Sequence, residues 1–117
     1  MQYIVVNPRG EGNEMLITAI TTWEGTPTAL EGLVAGSQAA APIHEGFGAK
    51  NPRLMRSASG GDMHRCEYMI DFDSFEAYGR FVDAMNESSW WSETTAAVAA
   101  AYPALKNCGT RLVYNVI

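Results

Sequence analysis

The chain has 117 residues, 47% of them hydrophobic and 18% charged, a balance that fits one globular domain over residues 1–117 and argues against disorder. Eight basic against thirteen acidic side chains leave a formal charge of −5, so there is no basic footprint for nucleic acid. No apolar run approaches the ~20 residues a membrane helix needs, and the opening Met1-Gln2-Tyr3-Ile4 lacks the basic-then-apolar order of a signal peptide, which points to a cytoplasmic protein with no membrane partner.

Tyr3-Ile4-Val5-Val6 is β-branched and aromatic and is broken by Asn7-Pro8-Arg9-Gly10, so a short first strand is expected there. Residues 15–23, rich in Ile and Thr, read as a second strand that Glu24-Gly25 ends. Thr26-Pro27 then starts a helix: Thr26 caps it, and Pro27 sits where its missing N–H has no helical partner anyway. Leu30, Leu33, Val34 and the alanines up to Ala41 make its apolar stripe, and Gly32 and Gly36 suggest close packing of that helix against a sheet. Pro42 is expected to kink or end it, and Gly46-Phe47-Gly48 to form a loop.

Residues 53–59 and 63–72 read as two strands of a hairpin turning at Gly60-Gly61-Asp62. Asp73-Ser74-Phe75-Glu76 has capping-box form, with Asp73 accepting from the Glu76 backbone N–H; Phe75, Tyr78, Phe81, Val82 and Met85 supply the apolar face of the helix that follows. Asn86-Glu87-Ser88-Ser89 interrupts that helix, Ser88 or Ser89 caps a continuation through Trp90, Thr94, Val98 and Tyr102, and Pro103 stops it. Residues 110–117 form a last strand.

Without the first strand the order is βαββαβ, the ferredoxin-like unit: one antiparallel sheet under two helices, an α+β fold. The second sheet face would leave Trp23, Met55 or Val113 wet in a chain this small, so a homodimer packing two sheets face to face around a cavity is expected. Cys66 and Cys108 lie far apart with no CxxC pair, and with His44 and His64 they are too sparse for zinc, so neither a disulfide nor a metal is expected.

The junction Ile70-Asp71-Phe72-Asp73-Ser74-Phe75-Glu76-Ala77-Tyr78 resembles that of the dimeric α+β barrel proteins, among them the antibiotic-biosynthesis-monooxygenase-like, stress-response-barrel and NIPSNAP-like groups. In those proteins a strand ends in an aromatic residue, then an acidic residue and Ser, then a helix bearing an aromatic, here Phe72, Asp73, Ser74 and Tyr78; Trp90 matches the tryptophan they often carry further on. The resemblance spans residues 15–117 and implies a breadth of activities: cofactor-free monooxygenases of polycyclic phenols, isomerases and lactonisers, polyketide cyclases, aldoxime or haem enzymes, and members without activity. Fold alone does not choose among them.

Alternation along residues 63–72 puts His64, Cys66, Tyr68, Ile70 and Phe72 on one face and Met63, Arg65, Glu67, Met69 and Asp71 on the other. With the apolar set toward the helices, Arg65 and Glu67 face the dimer cavity opposite Arg111 and Asn115, either as a structural ion-pair network or as groups orienting a substrate anion. With the faces inverted, Tyr68, Phe72 and His64 line the pocket and Tyr68 is the acid or donor. His44 is the general-base candidate, against the plainer reading of a loop histidine; a haem ligand would have to be His44 or His64. Adjacent Trp90 and Trp91 cannot share one helix face, so one packs in the core and the other faces the cavity or interface.

The expectation is therefore a small cofactor-independent enzyme acting on an aromatic or polyketide-like molecule, a monooxygenase or else a cyclase or isomerase. His44, Arg65, Glu67 and Tyr68 are the catalytic candidates, and Trp23, Phe72, Trp90 and Arg111 the substrate-binding ones. The competing expectation is a non-catalytic ligand-binding or stress-related dimer whose cavity is filled by its own side chains.

Overall fold

The computed structural model describes residues 16–116. In chain order the elements are β1 (Ile17–Gly25), α1 (Pro27–Gly46), β2 (Lys50–Arg56), β3 (Arg65–Phe72), α2 (Phe75–Asn86), α3 (Ser89–Ala101) and β4 (Leu105–Tyr114). The strands form a four-stranded antiparallel sheet in the order β2-β3-β1-β4. This is the ferredoxin-like βαββαβ arrangement with its second helix divided in two. The strand expected at residues 3–6 lies outside the described residues.

Local chemistry explains most boundaries. Thr26 caps α1, its hydroxyl accepting from Ala29 N at 3.2 Å, with Pro27 in the first turn. Pro42 does not end α1, which runs on to Gly46. Proline removes only its own N–H and crowds the carbonyl four residues back, and Gln38 is exposed, so water can take up that carbonyl. At α2 the cap is Ser74, accepting from Ala77 N at 3.0 Å, and not Asp73, which pairs with Lys50 Nζ at 2.7 Å. Ser88 closes one helix and opens the next: its hydroxyl donates to Met85 O at 2.7 Å and accepts from Trp91 N at 3.2 Å. The two halves are thus separate helices, giving three helices beside the sheet where two were expected.

Sheet register fixes the two faces. Ile17, Ala19, Thr21 and Trp23 of β1 pair with Phe72, Ile70, Tyr68 and Cys66 of β3, and this face meets the helices. Its core joins Ile17, Ala19, Ala49, Tyr68, Ile70, Phe72 and Phe81. The opposite face carries Thr18, Ile20, Thr22, Glu67, Met69, Asp71, Arg53, Met55, Arg111 and Val113. There Met55 and Val113 are 50% and 40% exposed, whereas Trp23, expected beside them, is on the helix side. Asp71 is only 6% exposed on that face and is held by Thr18 Oγ1 at 2.8 Å, Asn51 Nδ2 at 3.2 Å and Arg53 Nη1 at 3.2 Å. No helix among the described residues is long and apolar enough to cross a membrane.

Strand β4 begins at Leu105, five residues before the expected start at Thr110. Thr21 pairs with Thr110 but Trp23 pairs with Asn107, so β4 carries one extra residue between them, a β-bulge with Gly109 at φ 102°. Asn107 Oδ1 accepts from Gly109 N at 2.8 Å and closes the bulge. The extra residue reverses the alternation, so Thr110 and Asn107 both face the helices, as does Leu105 beyond them.

Candidate functional site

A cavity of about 910 Å³ lies between the helix side of the sheet and the three helices. Helix α1 contributes Ala29, Gly32, Leu33, Gly36 and Ala40, spaced to form one face, and α3 contributes Thr94, Ala97, Val98 and Ala101. These side chains are too small to meet across the gap, and the gap is the cavity. Gly32 and Gly36 were expected to allow close packing; instead a Cβ at either would meet nothing within 4 Å among the described residues. The floor is Ala19, Thr21, Tyr68 and Ile70, and all three tryptophans, Trp23, Trp90 and Trp91, stand in the wall. Trp90 and Trp91 both line it, with ring centroids 6.2 Å apart, where one of them was expected in the core. Among the described residues, none of the lining side chains is an Asp, Glu, Lys or Arg.

The polar centre of this wall is one pair. His44, in the last turn of α1, places Nδ1 2.7 Å from the Tyr68 hydroxyl on β3. The imidazole is packed on three sides: the Tyr68, Phe81 and Trp90 rings lie at 5.3, 5.5 and 5.2 Å, the last edge-on. Burial among these rings pushes the His44 pKa down from 6.5 to about 4, so the ring is neutral at pH 7. Burial first, with the Glu45 charge adding to it, pushes Tyr68 up to about 12. Both partners are therefore uncharged, and their hydrogen bond holds one proton between two weak acids and bases. With the proton on Nδ1, Nε2 is left as an acceptor and the Tyr68 O–H as a donor; with the Tyr68 proton donated to Nδ1, Nε2–H is the donor.

A second polar feature lies on the floor. Thr21 is the cross-strand partner of both Tyr68 on β3 and Thr110 on β4, and its hydroxyl is 2.7 Å from that of Thr110. Asn107, brought to this face by the bulge, also lines the cavity. Sequence reasoning singled out none of these three. Thr21 comes opposite Tyr68 through the long-range β1–β3 pairing, which no local signal sets, and the bulge at Gly109 hid Asn107.

The remaining candidates divide. His44, Tyr68, Trp23 and Trp90 come together in the cavity wall. Phe72 is fully buried behind it, its ring 5.3 Å from Tyr78 and 5.0 Å from Phe81, so it backs the wall without reaching the cavity. Arg65, Glu67 and Arg111 are on the opposite face. Arg65 is exposed and pairs with Glu24 at 2.6 Å, and also with Asp62 at 3.8 Å; Arg111 reaches Glu67 across β1 at 3.6 Å. The Glu24 hydrogen bond and charge raise the Arg65 pKa further. His64 is exposed at the hairpin, and no group of three His, Cys, Asp or Glu among the described residues could hold a metal ion.

No family model matches the chain, and no curated protein matches it. Among solved structures it is similar to a dimeric ferredoxin-like protein from an uncultured marine organism, with a TM-score of 0.69 and 13% identity over 89% of this chain and 98% of that one. It is also similar to a protein from Shewanella oneidensis, with a TM-score of 0.58 and 12% identity over 88% and 91% of the two chains. At such identities the likeness is one of fold, and the fold it shares is the ferredoxin-like one.

Proposed function

We propose that this chain is a small cofactor-independent enzyme whose cavity between sheet and helices takes an aromatic or polyketide-like molecule and whose His44–Tyr68 pair moves a proton on it. The observation that carries the reading is the 2.7 Å contact between His44 Nδ1 and the Tyr68 hydroxyl in the wall of a mostly apolar cavity of about 910 Å³. Enolisation is the step these groups suit. His44 Nε2, which points away from the hydroxyl that Nδ1 meets, accepts the proton from carbon, while the Tyr68 O–H donates to an oxygen conjugated with that carbon across a ring, where negative charge gathers. A base with a pKa of about 4 suits a carbon acid already acidified by a 1,3-dicarbonyl or by an aromatic ring that forms on loss of the proton.

Of the two chemistries, cyclisation or isomerisation is favoured over oxygenation. A cofactor-free oxygenase needs a fully developed substrate carbanion, and no cationic side chain among the described residues lines this cavity to stabilise one. The same absence of charge favours, as a second reading, a binding protein that holds its ligand without turnover. Support for homodimerisation comes from the partly exposed Met55 and Val113 on the far sheet face and from the dimeric solved relative. The α+β barrel groups named above are the family reading that goes with such a dimer.

The test is turnover of a linear poly-β-ketone and of anthrone by the native protein, H44Q and Y68F. Aldol-type cyclisation of the first, lost in both variants, supports the enzyme. Binding without turnover supports the binding protein. Turnover unchanged in both variants overturns the role of the pair.

A further inference from the structure

We propose that the cavity selects an uncharged, flat apolar molecule bearing oxygen at two separate points, one held by the His44–Tyr68 pair and the other by the Thr21–Thr110 hydroxyl pair. The inference deepens the reading above and rests on it.

Charge comes first. An anionic ligand entering this cavity leaves its hydration shell and finds no Lys or Arg among the described lining residues, and a cationic one finds no carboxylate among them. The chain's net charge of −5 further disfavours an anion. Carboxylates, phosphates and thioester carriers bearing phosphate are therefore poor occupants, while ketones and phenols are good ones.

The second point of attachment follows from counting protons. Each threonine hydroxyl carries one donor, and the 2.7 Å bond between Thr21 and Thr110 uses one of the two. One hydroxyl proton and several lone pairs remain for a ligand in the cavity both residues line. The Asn107 amide beside them uses its oxygen on Gly109 N, and its NH₂ makes no hydrogen bond among the described residues. Bulge and threonine pair thus place three spare donors at one end of an apolar floor.

The spacing follows from register. Tyr68, Thr21 and Thr110 sit side by side on β3, β1 and β4. With strands ~4.8 Å apart and the tyrosine ring lifting its hydroxyl well above the floor, the two stations are roughly 6–8 Å apart. This is the oxygen-to-oxygen reach of a two-ring diol lying across the strands, with Ala19 and Ile70 in the next row of the same face.

The experiment is calorimetric titration at pH 7 with three matched probes: 2-naphthol, naphthalene-2,6-diol and 6-hydroxy-2-naphthoate. They are titrated into the native protein, a T21V/T110V double variant and G36L. Valine keeps the β-branched shape and removes both hydroxyls at once, so no hydroxyl is left unpaired and the fold is kept. The native protein is expected to bind the diol about fivefold more tightly than 2-naphthol, the gain of one net hydrogen bond, and to bind the naphthoate at least ~10-fold more weakly. In the double variant the advantage of the diol disappears while 2-naphthol affinity is kept. If 2-naphthol binds, and G36L blocks it, but the diol shows no advantage or the naphthoate binds as well, the two-point neutral selectivity is wrong and the cavity reading survives. If none of the probes binds, or G36L binds them all as the native protein does, the cavity reading fails and this inference with it.

Discussion

Acidification gives the sharpest check on the burial of His44. In the folded chain the ring stays neutral until about pH 4, while in the unfolded chain it takes up a proton below 6.5. The folded value is depressed, so stability tied to this residue is whole above pH 6.5 and drains away as the pH falls from 6.5 to about 4. At about 1.4 kcal/mol for each pH unit the ceiling is about 3 kcal/mol. The cavity opens to water and part of the ring faces it, so screening brings the expected loss to about 1–2 kcal/mol. The perturbation is H44Q, whose amide can still meet the Tyr68 hydroxyl but does not titrate. Urea unfolding followed by tryptophan fluorescence at pH 7.5, 6.5, 5.5 and 4.5 gives the stability difference between native protein and variant. Carboxylate titrations are common to both and cancel. The native protein is expected to lose ground against H44Q only below pH 6.5. A pH-independent difference, or one in which the native protein gains on acidification, refutes a buried neutral imidazole and with it the uncharged pair.

Tyr68 predicts the mirror image at high pH. Its pKa is raised to about 12, so its share of stability is whole below pH 10 and is lost between 10 and about 12, and one phenol titrates late when absorbance at 295 nm is followed. Y68F leaves His44 Nδ1 without its partner and is expected to cost about 1–2 kcal/mol in urea unfolding. G36L enters open space inside a helix, so its stability in urea unfolding should equal or exceed that of the native protein, by up to about 1 kcal/mol of helix propensity, while binding of 2-naphthol is lost. D71N weakens a nearly buried cluster on the far face that holds Thr18, Asn51 and Arg53, and should cost about 1–3 kcal/mol without changing affinity for any cavity probe. V113E on the same face should turn the proposed dimer into a monomer in native mass spectrometry while leaving the helix-side cavity, and so 2-naphthol binding, in place.

What could be read from the sequence was what neighbouring residues decide. Thr26-Pro27 and the pair Ser88-Ser89 carry their caps in a few residues, and of the two serines Ser88 is the cap. The polar-apolar alternation over residues 65–72 sorted Tyr68, Ile70 and Phe72 onto the helix side because burial on one face imposes a period of two. The fold needed little more than the order of these pieces. The site was legible only in parts, because distant elements make it. His44 and Tyr68 are 24 residues apart and meet through the run of α1 past Pro42, which a local rule would end. Arg65, Glu67 and Arg111 drew attention as charges on a strand, yet each finds a partner on its own sheet face, a solution that depends on strand order. Asn107 was out of reach because one extra residue at Gly109 shifts everything before it in β4 to the other face.

The lining itself bears on whether the cavity is kept for a ligand. Ala96 to Ala101 and the alanines of α1 are good helix formers, so they alone would be accounted for by helix propensity. Gly32 and Gly36 would not: each costs its helix about 1 kcal/mol relative to alanine, and neither permits a close approach that a larger residue would block. Leucine at either position would recover that propensity and occupy space in the cavity that both glycines line. Stability on its own therefore favours a filled cavity at two positions of α1, and the chain has glycine at both. Together with a neutral hydrogen-bonded pair at one end and unspent hydroxyl and amide donors at the other, the arrangement is what a site needs when its missing contacts come from a bound molecule.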